Sequence, residues 1–314
     1  MARPLRIEFP GAFYHVTSRG NEQKDIFKSK KDREKFISYL ESAVSRYGAI
    51  IHVYCLMTNH FHLLIETPLG NLAQIMKHIN SSYTTYYKVK RKRVGHLLQG
   101  RYKAILVDGD AYATELSRYI HLNPVRAGIV AAPEDYPWMS YRYYTGEKVP
   151  DWLTTGFTLN YFSTKIETAR EKYKCFVHDL INKEYQSPLL ETVASTILGC
   201  PEFVIAIQER HLSSKKADRD LPSLRELTCR PSLDEIVKAV KKEFPENERL
   251  ASKTAVYLCH RYSGAKLKAI GEIFRLTESG VTRASKRFEE SIEDDKNLKE
   301  MLIKIRENLG MSIA

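Results

Sequence analysis

The chain predicts an α+β protein: one antiparallel sheet with its helices in the first part, and an all-helical region at the end. Three observations predict it. Strand-like and helix-like segments alternate through the first 125 residues, the pattern turns helical throughout from residue 232, and 43% hydrophobic with 11% aromatic content over 314 residues is enough for packed cores.

Phe13 to Ser18 (FYHVTS) is rich in aromatic and β-branched residues, reads as a strand, and ends at Arg19-Gly20-Asn21. Lys31 to Tyr47 places Phe36, Tyr39, Leu40, Ala43, Val44 and Tyr47 on one helical stripe, closed by Gly48. Ile50 to Met57 and Phe61 to Glu66 read as two strands of a hairpin, with Thr58-Asn59-His60 between them. Asn71 is the expected cap of a helix running to about Lys90, with Leu72, Ile75, Met76, Ile79 and Tyr83 on one side. Tyr102 to Val107 reads as a fourth strand, and Ala111 to Leu122 as a short helix stopped by Pro124. The order β-α-β-β-α-β, then α, is the split βαβ or ferredoxin-like arrangement, with two helices on one face of the sheet. Many functions use that arrangement, so it decides none of them.

Residues 133–150 are rich in Pro, Trp and Tyr and read as a transition, residues 151–222 as mostly helical, and Pro222 to Pro231 as a linker. The expected division is therefore 1–132, a connector 133–222, and a helical domain 223–314. The centre of the last part has a helix-turn-helix pattern: Ser252 to Tyr262, Lys266 to Phe274 and Thr277 to Glu289, separated by Gly264 and by Arg275-Leu276-Thr277. Its third helix would present Ser279, Thr282, Arg283, Lys286 and Arg287, groups suited to phosphate and base contact. An ordinary three-helix bundle with a solvated face fits the same pattern.

The formal net charge is +11. Residues 1–150 hold 22 Lys and Arg against 13 Asp and Glu, so most of the excess lies there. That balance favours a polyanionic partner, nucleic acid first. Cys55, Cys175, Cys200, Cys229 and Cys259 are scattered, odd in number and without a CxxC, which suits reduced thiols in the cytoplasm and gives no zinc spacing. No signal peptide, membrane-length apolar run or GxxxxGK[ST] phosphate loop is visible.

His60-Phe61-His62 is the most informative stretch. In a strand, residues i and i+2 face the same way, so two imidazoles would stand side by side while Phe61 turns into a core. Neutral imidazole is a common ligand of divalent metals, although a lone HxH is more often structural. Further along, Tyr119 and Asn123 are four residues apart and share a helix face. An amide oxygen is a hard metal ligand and a phenol can attack phosphorus. Asn123 precedes Pro124 and so sits at the frayed end of its helix.

Four stretches in order carry a resemblance: Tyr14-His15-Val16-Thr17-Ser18-Arg19-Gly20-Asn21, the His60-Phe61-His62 segment, Gln99-Gly100-Arg101-Tyr102-Lys103, and Arg118-Tyr119-Ile120-His121-Leu122-Asn123-Pro124-Val125-Arg126-Ala127-Gly128. Over roughly residues 5–145 the chain resembles the IS200-like single-tyrosine (HUH) transposases, and within them the REP-associated branch. The resemblance implies a metal-dependent endonuclease and strand transferase acting on single-stranded DNA near hairpins or REP-type repeats. His60 and His62 would hold Mg²⁺ or Mn²⁺, with Asn123 as third ligand. Tyr119 would be the nucleophile, forming a 5′-phosphotyrosine, with Glu115 a candidate for taking its proton. On charge alone, Arg19, Lys88, Lys90, Arg91, Lys92, Arg93, Arg101, Lys103 and Arg118 are candidates for DNA contact, although the basic run from Lys88 also complements a helix dipole.

The terminal part, at Ala269-Ile270-Gly271-Glu272-Ile273-Phe274 and Val281-Thr282-Arg283-Ala284, resembles the helix-turn-helix of bacterial replication initiators. That adds an expected duplex contact through Arg283, Lys286 and Arg287. The protein so described would work in the bacterial cytoplasm at the nucleoid, as monomer or homodimer, with no membrane partner. The competing expectation is a catalytically silent DNA-binding regulator derived from a transposase. An RNA-binding sheet using Phe61 and Tyr54 would leave the histidines without a role.

Overall fold

The computed structural model describes residues 5–181, 183, 186–212, 223, 224, 227, 231–245, 247–263, 265–293 and 295–309. The expected linker at Pro222–Pro231 falls mostly outside the described residues, as do Cys229 and Gly264. The chain forms two compact units, one of residues 6–192 with 196–200, the other of residues 1–5, 193–195 and 201–314.

In the first unit the elements run β1 (Ala12–Arg19), α1 (Lys30–Tyr47), β2 (Ile50–Leu56), β3 (His60–Thr67), α2 (Leu72–Arg91), β4 (Lys103–Val107) and α3 (Gly109–His121). Strand order is β2-β3-β1-β4, antiparallel throughout, as the α+β, ferredoxin-like reading predicts. A fifth strand, β5 (Ile197–Leu198), pairs parallel with β4 and makes the sheet mixed. The sequence gives no sign of it, because two residues cannot display a periodicity.

The pleat of β3 divides its side chains. Phe61, Leu63 and Ile65 are fully buried on one face, where Phe61 meets Phe36 of α1 with ring centroids 4.7 Å apart, and Phe36 in turn meets Tyr83 of α2. His60, His62 and Leu64 point to the opposite face, which α3 covers from above β2 and β3. Ser29 caps α1 by accepting the N–H of Asp32, and Gly48 ends it in the left-handed conformation. Asn71 stands at the start of α2 but does not cap it. Its Nδ2 donates to the carbonyl of Tyr47 at 3.0 Å, and the Glu8 carboxylate accepts the N–H of Ala73 instead. The sequence cannot show this, since Glu8 is 65 residues away.

Pro124 does not stop the helical path outright: α3 ends at His121 and a further turn, Asn123–Arg126, holds Pro124 in its first turn, where no N–H is needed. Residues 133–178, ending in α4 (Ile166–His178), pack on the α3 face. They also bond along β2: Leu56 N–H to Trp138 O, Ser140 N–H to Tyr54 O and Thr154 N–H to Ile51 O, all within 3.0 Å. The buried imidazole of His121 lies between the Tyr173 hydroxyl at 2.7 Å and the Ser140 hydroxyl at 2.8 Å, tying α3 to this layer.

The second unit contains α5 (Leu233–Glu243), α6 (Glu248–Tyr262), α7 (Leu267–Phe274), α8 (Glu278–Glu293) and α9 (Lys296–Asn308). Ser232 and Glu235 form a reciprocal capping box at the start of α5. Ile236, Val240, Leu258, Cys259, Ile270, Val281 and Ile305 form the core. The turn between α7 and α8 is tight: a Cβ on Gly271 would lie 2.4 Å from the Leu276 carbonyl oxygen, and Thr277 Oγ1 accepts the N–H of Gly280 to cap α8. None of the described helices is long and apolar enough to cross a membrane.

Phe61 and its neighbour His60 should differ sharply in their share of stability. Phe61→Ala is expected to cost about 3–5 kcal/mol and His60→Ala under about 1 kcal/mol, read by urea denaturation of the two variants.

Candidate active site

Three imidazoles share the α3 face of the sheet. His60 and His62 alternate with Phe61 on β3, their ring centroids 5.0 Å apart. β1 lies beside β3, with Thr17 paired to His62 and His15 paired to Leu64. His15 is therefore the diagonal neighbour of His62, close enough for side chains to meet. The rings stack at 5.3 Å, and His15 Nε2 lies 3.0 Å from His62 Nδ1. The sequence reading names no role for His15, because its meeting with His62 depends on strand register.

Tyr119 projects from α3 over these rings. Its centroid is 6.1 Å from that of His15 and 6.1 Å from that of His62, edge to face with both. The guanidinium of Arg126, one helical turn past Asn123, lies 5.0 Å from the Tyr119 ring centroid. Asn123 folds back on its own helix, Nδ2 donating to the Tyr119 carbonyl at 2.9 Å, which leaves the amide oxygen as the end that could meet a cation.

Burial keeps the imidazoles neutral. It pushes His15 down to about 4, pushes His62 well below the ordinary histidine value with help from the other two rings, and lowers His60 with help from the Arg19 charge. Neutral rings keep a lone pair for a metal. His62 Nε2 is buried with no hydrogen-bond partner among the described residues, and an orphaned nitrogen of that kind suits a ligand. Among the described residues no group of three or more His, Cys, Asp or Glu is arranged to hold a metal ion, so a third donor would have to be of another type, such as the Asn123 amide.

The basic candidates fall into two sets. Arg19 pairs across the sheet with His60 and donates to the Gln99 side chain; Arg101 and Lys103 are exposed near it at the start of β4. Lys88, Lys92 and Arg93 lie at the C-terminal end of α2, and Lys92 closes that helix in the left-handed conformation. Lys90 and Arg91, in contrast, bind the fully buried Asp32 at 2.5 and 2.7 Å. Arg118 pairs with Glu115 at 2.5 Å and lies 3.8 Å from the Phe176 ring centroid, so both it and the suggested base Glu115 have intramolecular partners. In the second unit Arg283, Lys286 and Arg287 are exposed on α8.

Residues 9–123 match the family model of IS200-like transposases. The matched segment contains His15, His60, His62 and Tyr119 and ends at Asn123. The solved structure of a REP-associated tyrosine transposase bound to a REP hairpin is 15% identical, covers 48% of this chain and 94% of its own, and aligns with a TM-score of 0.41. No curated protein matches the chain.

In this transposase-like segment Asp32 anchors the basic end of α2. Burial alone would raise its carboxyl, but hydrogen bonds from Lys90, Arg91, the Lys28 N–H and Ser29 bring it down to about 2. A carboxylate held below its unfolded value of about 4 stabilises the fold above that pH and ceases to do so as pH falls toward 2. Asp32→Asn should therefore cost about 1–3 kcal/mol at pH 7, and the gap from wild type should close between about pH 4 and 2, measured by urea unfolding across that range.

Proposed function

We propose that the chain is a DNA strand transferase of the transposase type, cutting single-stranded DNA beside hairpins through Tyr119. The observation that carries the reading is the placement of a phenol on α3 over the neutral imidazoles of His15 and His62, within the segment that matches IS200-like transposases.

His60 and His62, with the Asn123 amide oxygen, would hold a divalent cation, Mg²⁺ or Mn²⁺. Once bound, such an ion withdraws electron density from a phosphate oxygen and makes phosphorus more electrophilic. The chain's own residues do the rest. Tyr119 Oη loses its proton, attacks the phosphorus, and forms the new P–O bond. The bond to the 3′ oxygen breaks, and that oxygen leaves with the bonding pair and takes a proton from solvent, balancing the one the phenol gave up, to become a 3′-hydroxyl. The product is a 5′-phosphotyrosine, and a 3′-hydroxyl can later attack it and restore the phenol without external energy. Arg19, Arg101 and Lys103 beside the imidazoles are suited to phosphate contact, and so are Lys88, Lys92 and Arg93. Lys90, Arg91 and Arg118 would contribute mainly through the elements they hold.

Residues 1–132 supply the nuclease in this reading, 133–222 a connecting part, and 223–314 a duplex-binding module. The tight α7–α8 turn and the exposed Arg283, Lys286 and Arg287 support the last of these.

The test is a hairpin oligonucleotide with single-stranded flanks, incubated with Mg²⁺ or Mn²⁺ and run on a denaturing gel. Wild type is expected to give a covalent protein–DNA adduct and Tyr119→Phe none, while DNA affinity in a mobility-shift assay changes less than about threefold. An adduct that persists in Tyr119→Phe removes the phenol from its role.

A further inference from the structure

Neither imidazole of the His60–His62 pair stands alone. Asn59, in the turn before β3, donates from Nδ2 to the Gln23 carbonyl at 3.1 Å, which fixes the other end of its amide as oxygen. That oxygen lies 2.6 Å from His60 Nδ1. An amide oxygen can only accept, so Nδ1 of His60 carries the proton and its Nε2 is a bare lone pair.

His62 is held at the same ring position. Its Nδ1 is 3.0 Å from His15 Nε2, and its Nε2 is buried without a partner among the described residues. Two arrangements satisfy that contact. If His15 donates, the proton of neutral His62 sits on Nε2, a buried N–H with nothing to receive it; if His62 donates, the proton of His15 sits on Nδ1, which is buried and unpartnered among the described residues as well. Each arrangement leaves one N–H unpaired, and a cation is what separates them: only the second offers it the Nε2 lone pair of His62 beside that of His60.

We infer that His15 and Asn59 are positioning residues that hold His62 and His60 in one common tautomer, protonated at Nδ1, so that both Nε2 lone pairs are presented to a divalent cation. The inference rests on the metal-assisted reading above. His15 accepts through Nε2 and so carries its own proton on Nδ1. The cation-binding surface would then extend to two residues that never touch the ion, one on a neighbouring strand and one in a turn.

The experiment has two readouts on the full-length protein. In metal-free, ¹⁵N-labelled protein at pH 7, long-range ¹H–¹⁵N correlations report which ring nitrogen carries each proton. Wild type is expected to show His60 and His62 both protonated at Nδ1, with His62 losing that preference in His15→Leu and keeping it in His15→Gln, whose amide oxygen can accept. In Mn²⁺ titrations followed by electron paramagnetic resonance, His15→Leu should weaken binding by about 10–100-fold and His15→Gln by less than about threefold. Asn59→Ala, a change in a turn, should release the His60 tautomer and weaken Mn²⁺ by about tenfold, and it decides the matter if His15→Leu does not fold. A wild-type His62 protonated at Nε2, or Mn²⁺ binding unchanged in His15→Leu, overturns the inference and leaves the metal reading standing. A wild type that takes no Mn²⁺ overturns the metal reading, and the inference with it.

Discussion

The alternation of side chains along β3 is the constraint on which the rest depends. Because successive residues of a strand face opposite ways, His60-Phe61-His62 can anchor a core and offer two imidazoles at once. Phe61 enters the aromatic layer with Phe36 and Tyr83, which fixes the register of the strand. Shifted by one residue, the same strand would bury its histidines among those rings and turn Phe61 toward α3. The position of the imidazoles is thus guaranteed by apolar packing on the side of the sheet they never see.

The opposite side is organised by α3. Its helical spacing sets Leu116 and Ile120 into the core, brings Tyr119 over the imidazoles and hands His121 to the layer formed by residues 133–178. The contacts of His121 with Tyr173 and Ser140 satisfy both of its ring nitrogens in a site from which water is excluded. Buried polar groups with full partners are stiff, and that stiffness fixes the direction in which α3 holds Tyr119. The later segment thereby supports the placement of Tyr119 over the imidazoles.

Much of the fold was legible because it follows from short-range rules. The aromatic and β-branched run at Phe13–Ser18, the stripe from Phe36 to Tyr47 closed by Gly48, and the hairpin around Asn59 each carry their own signal. The histidine pair and the Tyr119–Asn123 spacing were legible for the same reason. What escaped depends on register or on distant partners. His15 meets His62 only once β1 and β3 are aligned, and Arg126 reaches the Tyr119 ring only after the turn at Pro124 is made. Charge counting could not separate Lys90 and Arg91, which are bound to a buried carboxylate 58 and 59 residues earlier, from the neighbouring basic residues. The two residues of β5 were too few to announce a strand.

The backbone bonds that Trp138, Ser140 and Thr154 make along β2, and the pairing of β5 on β4, have one more result. The margins of an open sheet are templates on which foreign strands can stack. Here both margins are already partly occupied by the chain's own later segments. Where those segments pair, the backbone of β2 and β4 is no longer offered to a strand from outside.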